Sequence, residues 1–312
     1  MANKTTPYCP YAFFQGKFVK TEEAKISIMA RAVQYGMAVF SGIRGYYNQD
    51  KRLLSLFRID DHYQRLLNAL KILGVSIQYN KEELKEITIK LAKKNKPQTD
   101  VYFRPYAYAS SLRLSPNLKE DSLFVFALYS IPLGDYLPTN KGLSVLVSSW
   151  QRPADNAIPG RGKICGAYIN SAIARKEAMD LDFEEAIFLT ADGHVAEGTG
   201  ENVFIVRDGV LITPSESDDI LEGITRKTII QLAKDNGIPV EIRRIDRSEL
   251  YVSDEAFFTG TACQLAWISK IDNRLIGSGK KGKITAKLQD LFFRVVRGEE
   301  YKYSGWCNKI KI

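Results

Sequence analysis

Two Asp-Gly pairs set between short β-branched and aromatic runs constrain this chain more than any other feature. Ala186-Ile187-Phe188-Leu189-Thr190 closes on Asp192-Gly193, and Asn202-Val203-Phe204-Ile205-Val206 leads through Arg207-Asp208-Gly209 into Val210-Leu211-Ile212-Thr213-Pro214. Such pairs turn the backbone with the hand that strand twist requires, so both read as hairpins. Between them lies Glu197-Gly198-Thr199-Gly200-Glu201-Asn202, with two carboxylates, two glycines and an amide. Glycine lets backbone approach something closely, and a buried acid needs a counterpart. Taken alone, the segment reads more readily as a solvated loop with ordinary acids.

The rest of the chain mixes strands with helices. Phe13-Phe14-Gln15-Gly16-Lys17-Phe18-Val19 reads as an opening hairpin and residues 52–57 as a strand. Residues 61–73 read as an amphipathic helix, with Leu66, Leu67, Leu70 and Leu73 on one face and Gly74 as its stop. A second helix is expected over 81–94, strands over 101–104 and 123–129, and helices near 170–180 and 225–236. The Pro- and Gly-dense stretch 132–142 is the best linker candidate, and Leu143 opens a strand-rich unit. We therefore expect an α/β (α+β) chain with a small α+β domain over 1–136, a linker over 137–142 and a larger domain over 143–312. A length of 312 residues and 45% apolar content suit two cored domains.

Composition excludes several classes. No unbroken apolar run reaches about 18 residues, and Met1-Ala2-Asn3-Lys4-Thr5-Thr6-Pro7 lacks a signal-like stretch, so a cytoplasmic location without membrane association is expected. Cys9, Cys165, Cys263 and Cys307 are far apart, and only His62 and His194 join them, so no disulfide framework or metal site is expected. A net charge of +8 and a pI near 9.1 raise a nucleic-acid reading, centred on Lys93-Lys94-Asn95-Lys96 and Lys280-Lys281-Gly282-Lys283. No recognition motif accompanies these clusters, which read as solvated surface; a basic nucleic-acid-associated protein is the distant alternative. The basic excess also suits anionic small molecules.

Three further segments carry chemistry-bearing residues. Ile158-Pro159-Gly160-Arg161-Gly162-Lys163-Ile164-Cys165-Gly166-Ala167-Tyr168 sets one lysine and one tyrosine in a glycine-punctuated turn before a helix. Leu221-Glu222-Gly223-Ile224-Thr225-Arg226 opens a helix whose N-terminus offers N–H groups to a phosphate, although Thr225 could simply cap it. Phe257-Phe258-Thr259-Gly260-Thr261-Ala262 ends a strand in small residues suited to anion contact, or in an ordinary tight turn.

Together with Tyr35-Gly36-Met37-Ala38-Val39-Phe40-Ser41-Gly42-Ile43-Arg44, Leu56-Phe57-Arg58 and Tyr102-Phe103-Arg104-Pro105, these segments resemble, in order and spacing, the class IV (fold-type IV) pyridoxal-phosphate aminotransferases. Within that class they are most similar to branched-chain amino-acid aminotransferases. The resemblance runs over nearly the whole chain and implies a two-domain fold with a barrel-like C-terminal domain. It implies that Lys163 bonds to the cofactor aldehyde and shuttles the substrate proton, for which it needs partial desolvation or cationic neighbours. Glu197 is similar to the carboxylate that pairs with the pyridine nitrogen, and Tyr168 to the phenol on the 3′-oxygen. Arg58, Gly223, Ile224, Thr225, Gly260 and Thr261 resemble the phosphate-side contacts, while Glu201 and Asn202 are left to shape the turn.

For the substrate, the resemblance implies apolar walls from Tyr35, Phe40, Leu114 and Tyr136, with Arg44 nearby. Arg104 resembles the guanidinium that receives a glutamate side chain, and Tyr102 with the Thr261 and Ala262 amides would hold the α-carboxylate. The implied reaction exchanges the amino group of L-leucine, isoleucine or valine with 2-oxoglutarate, in a homodimer or higher multiple. Ser41 stands where many such enzymes carry glutamate, Leu133 where tryptophan is common, and Cys263-Gln264 where Ala-Glu is frequent. D-amino-acid and amine aminotransferases and aminodeoxychorismate lyase are the nearer alternatives. Arg104-Pro105-Tyr106 in place of an Arg-x-His pair, and the presence of Tyr102-Phe103-Arg104, favour the branched-chain type.

Overall fold

The computed structural model describes residues 8–312, so the N-terminal stretch read above for targeting lies outside the described residues. The chain divides into two compact units. One holds the chain up to Gly134 together with Gly162–Gly166 and Arg294–Ile312; the other holds Asp135–Arg161 and Ala167–Phe293.

The first unit is built on an antiparallel sheet with, among the described residues, eight strands. Their spatial order is Cys307–Lys311, Leu53–Phe57, Ile43–Asn48, Val101–Tyr108, Val125–Pro132, Tyr11–Phe14 and Lys17–Lys20, with Ala38–Phe40 pairing beside Val101–Tyr108. The opening hairpin forms as its sequence implies, in the register Phe13↔Phe18. The helix Ile59–Ile72 buries Tyr63, Leu66 and Leu70 against Val39, Ile43, Leu56 and Phe103 of the sheet. Each such side chain contributes about 1.5–3 kcal/mol by leaving water. The helix Lys81–Asn95 begins with a reciprocal cap between Asn80 and Glu83, and adds Leu84, Ile87 and Leu91 to the same core.

The second unit carries a mixed sheet in the order Val195–Gly198, Glu185–Leu189, Leu143–Gln151, Gln264–Ile271, Glu255–Gly260, Asn202–Arg207, Val210–Thr213 and Val240–Ile242. Both Asp-Gly hairpins form: Val195 pairs with Leu189, and Arg207 with Val210. Leu143–Gln151 instead runs parallel to both of its neighbours. Parallel neighbours need crossover connections, one of which includes the helix Tyr168–Asp180. The helix Ile224–Asp235 buries Ile224, Ile229 and Leu232.

The observed division differs from a contiguous 143–312 domain. Cys307–Lys311 pairs antiparallel with Leu53–Phe57, so the C-terminus completes the first unit's sheet. Gly162–Gly166 joins that unit through Phe40 N–H, which donates to the Lys163 carbonyl at 3.3 Å, and Gly166 N–H, which donates to the Gly36 carbonyl at 3.2 Å. Among the described residues no helix is long and apolar enough to cross a membrane, and no acid, His or Cys cluster could hold a metal.

Candidate active site

In the first unit, Lys163 sits at φ 41°, a left-handed conformation costly for a residue with a side chain. Strain of this kind persists only where the surroundings over-determine it, and it gathers at functional sites. Here the surroundings are tight: a Cβ on Gly36 would meet Gly166 Cα at 2.7 Å, so glycine at 36 is what lets the lysine-bearing turn pass. The Lys163 Nζ lies 4.9 Å from the centre of the Phe40 ring. The Arg104 guanidinium approaches the same ring at 4.4 Å and the Tyr102 ring at 5.2 Å, and donates to the Tyr102 hydroxyl at 3.3 Å. Lys163 and Arg104 thus both meet the Phe40 ring.

Arg58 also takes a left-handed backbone, at φ 49°, just before the helix Ile59–Ile72. Its N–H donates to the Trp306 carbonyl at 2.7 Å, its guanidinium lies 5.0 Å from the Trp306 ring, and its Nε donates to Asp61 at 2.7 Å. One turn on, His62 Nδ1 lies 3.3 Å from Ser41 Oγ, which also accepts from Arg65 at 3.2 Å. Burial, and then the charges of Arg65, Arg58 and Lys163, hold the His62 imidazole well below its ordinary value. Since the unfolded chain takes up the proton first, the stability linked to His62 is complete above about pH 6.5 and is lost as the pH falls below it. The urea midpoint of the wild type is expected to drop between pH 7 and 5, and His62→Gln to remove that part of the slope; identical slopes would disprove the linkage.

The remaining first-unit candidates fall into two groups. Arg44 is buried, and its Nη2 donates to the carbonyls of Leu133 at 3.1 Å and Gly134 at 2.8 Å. Tyr35 and Leu114 are exposed, and the Tyr35 hydroxyl accepts from Ser115 N–H at 3.1 Å. The loop that carries Leu114 is pinned by buried Arg31, which bonds Asp121 at 2.7 Å, Glu120 at 2.6 Å and the Leu114 carbonyl at 3.3 Å.

In the second unit, Glu197 lies in the fully buried strand Val195–Gly198 and is only 4% exposed. Its Oε1 pairs with Arg152 Nη2 at 2.8 Å, and its Oε2 accepts from Asn202 Nδ2 at 2.9 Å and from Leu221 N–H at 3.1 Å. A solvated loop is thereby excluded. Glu201 accepts from Gly200 N–H at 3.0 Å, and its charge also acts on Tyr136 and Arg175. Asn202 does more than shape that turn: it also donates to the Leu221 carbonyl at 2.9 Å. Its Oδ1 lies 1.9 Å from where a Cβ on Gly223 would stand, so only glycine fits there.

Gly223 precedes the helix Ile224–Asp235 without a side-chain cap, which leaves the first-turn N–H groups of Ile224 and Thr225 unclaimed by one. Such an end favours an anion. Gly260, Thr261 and Ala262 lie at the turn between Glu255–Gly260 and Gln264–Ile271. Tyr168 begins the helix Tyr168–Asp180, and half-exposed Tyr136 lies 5.3 Å from the Arg175 guanidinium. Sequence reasoning missed Arg152, Trp306, His62 and Arg175, none of which sits in a motif.

These residues coincide with a family. The family profile described as amino-transferase class IV matches residues 38–271. The chain belongs to the class IV aminotransferases. It is 46% identical to a probable branched-chain-amino-acid aminotransferase of Aquifex aeolicus, over 96% of both chains. It also superposes on the branched-chain aminotransferase of Thermoproteus uzoniensis with norvaline, at a TM-score of 0.92 and 41% identity, covering 96% of this chain and 99% of that one. A third class IV relative is the branched-chain amino acid aminotransferase of Thermobaculum terrenum in its PLP form, at a TM-score of 0.91 and 34% identity, with 98% and 99% covered.

Proposed function

We propose that this aminotransferase moves the amino group of branched-chain L-amino acids to 2-oxoglutarate, using pyridoxal 5′-phosphate. The buried Glu197 carboxylate, set by Arg152, Asn202 and the Leu221 N–H, carries the reading. Arg152 balances this buried carboxylate, and a carboxylate fixed so firmly in place can also pair with a protonated pyridine nitrogen. The residues present fit the cofactor: an uncapped helix N-terminus at Gly223, a strained lysine, and a carboxylate fixed by three donors. When bound, pyridoxal phosphate supplies an electron sink for the substrate α-carbon.

Each residue then has a task. Lys163 Nζ anchors the cofactor and moves the proton of the substrate α-carbon. Glu197 holds the ring proton, and Tyr168 donates to the 3′-oxygen. Arg58, the Ile224 and Thr225 N–H groups and Thr261 orient the phosphate, with Gly223 and Gly260 admitting it. Phe40 is a buried wall for the substrate side chain, and the exposed Tyr35, Leu114 and Tyr136 complete that wall across a dimer. Tyr102 with the Thr261 and Ala262 amides holds the α-carboxylate, and Arg104 receives the distal carboxylate of 2-oxoglutarate.

Steady-state rates with leucine, isoleucine, valine, glutamate, D-alanine and simple amines test the assignment; a preference above tenfold for D-alanine or an amine would refute it. Arg104→Ala is expected to lower kcat/KM for 2-oxoglutarate by about 100-fold, the loss of one charge-assisted pair, and that for leucine by less than about tenfold. Equal losses would remove the role given to Arg104.

We also place the enzyme in the cytoplasm, where its four free cysteines would stay reduced, and as a homodimer or a multiple of one. Ile28, Met29, Val33 and Leu114 are exposed, Leu114 at 77%, and Arg31 ties their two segments together. An apolar surface of this kind is normally covered by another chain. Sedimentation equilibrium reads the state directly, and a monomer at micromolar concentration would contradict it.

A further inference from the structure

Two consecutive residues, Asp135 and Tyr136, are strung between two turns of the second unit. Asp135 Oδ1 accepts from Gln264 Nε2 at 2.9 Å, and its Oδ2 from Thr139 Oγ1 at 3.1 Å. Gln264 is buried, sits at φ 62° and faces Gly260 across the hairpin, so it closes the turn that carries Thr261 and Ala262. Left-handed backbone is unfavourable for glutamine and needs contacts to hold it. On the other side, the Tyr136 hydroxyl accepts from Arg175, whose Nη1 lies 3.6 Å from Glu185 Oε2. Glu185, fully buried, accepts at Oε1 from Thr199 Oγ1 at 2.6 Å, one residue beyond the Glu197–Gly198 strand end.

We propose that Gln264 is a positioning residue: through its amide-to-carboxylate bond with Asp135 it sets the Thr261–Ala262 turn for the substrate α-carboxylate. The same bond fixes where Tyr136 stands. The choice of amide over acid is the essential point, because an ionised carboxylate at 264 would face the Asp135 carboxylate across about 3 Å and repel it until one of the two takes up a proton. The inference rests on the reading of the Thr261–Ala262 turn given above.

The test uses the holoenzyme and two readouts: binding of 4-methylvalerate, a carboxylate that cannot be turned over, followed by the cofactor absorption band, and KM against kcat for leucine. Gln264→Glu is expected to raise the 4-methylvalerate Kd and the leucine KM at least fivefold at pH 8, with kcat within about twofold. The defect should shrink toward pH 6, where one carboxylate of the pair takes up a proton. Adding Asp135→Asn, whose amide can donate to the carboxylate introduced at position 264, is expected to restore both constants to within twofold. Should Gln264→Glu fail to fold, Gln264→Met keeps the volume without a charge or donor, and is expected to raise Kd by a factor that does not change with pH.

An unchanged Kd in Gln264→Glu at pH 8, or in Gln264→Met, overturns the proposal. So does a loss that the double variant fails to restore. A wild type that shows this pattern of 4-methylvalerate binding yet turns over no branched-chain amino acid supports the proposal, and refutes the substrate reading instead.

Discussion

Lys163→Ala is expected to reduce amino transfer by on the order of 10⁴-fold or more, with the visible cofactor band lost and the far-ultraviolet circular dichroism unchanged. The size follows from two roles falling together: the amine that anchors the cofactor is also the base at the α-carbon. The fold should tolerate the change. The conformation of Lys163 is imposed by backbone contacts, from Phe40 N–H and from the close passage of Gly166 over Gly36, and neither involves the side chain. Single-turnover rates with leucine, read beside the absorption spectrum, decide the matter. A variant that keeps the band and works within tenfold of the wild type would remove Lys163 from the chemistry.

The second large effect is expected on stability. Arg152→Met leaves the Glu197 carboxylate buried without its guanidinium, and breaking such a pair costs about 3–5 kcal/mol. Both side chains are under 10% exposed and meet at 2.8 Å, so solvent screening does not discount the figure. Asn202 and the Leu221 N–H remain, but neutral donors do not replace a charge. Adding Glu197→Gln to Arg152→Met should recover most of the loss, because an amide in the same place needs no counter-charge. Urea unfolding of the wild type, both single variants and the double variant gives the coupling. A loss below about 1 kcal/mol in Arg152→Met would mean that the two neutral donors suffice.

Local features carried far in the reading of this chain. The opening hairpin and both Asp-Gly hairpins follow from turn residues and period-2 runs, which act within a few positions. The helix Ile59–Ile72 follows from leucine spacing, and the helix Ile224–Asp235 from its Gly223 entry. The candidate site was legible for a related reason: Lys163, Tyr168, Glu197 and Gly223-Ile224-Thr225 each lie in a short motif whose order identifies the family.

Other positions were silent because their contacts are distant in the chain. Arg152 follows a strand with no motif around it, and only the parallel pairing of Leu143–Gln151 with Glu185–Leu189 brings it to Glu197. The alternation of Cys307–Lys311 is too short and polar to announce a strand, and its pairing to Leu53–Phe57 reassigns the C-terminus. The bonds from the Arg44 guanidinium to the Leu133 and Gly134 carbonyls, some ninety positions on, had no local signal either.

By itself the sequence determined the hairpins, the amphipathic helices, the family and the residue types of the chemistry, since turn geometry, side-chain period and motif order are properties of neighbouring residues. Tertiary structure alone decided which partner each charged group meets. Glu197 with Arg152, Asp135 with Gln264 and Arg58 with Trp306 depend on strand order and backbone crossing, and a buried charge is tolerable only once those crossings deliver its counterpart.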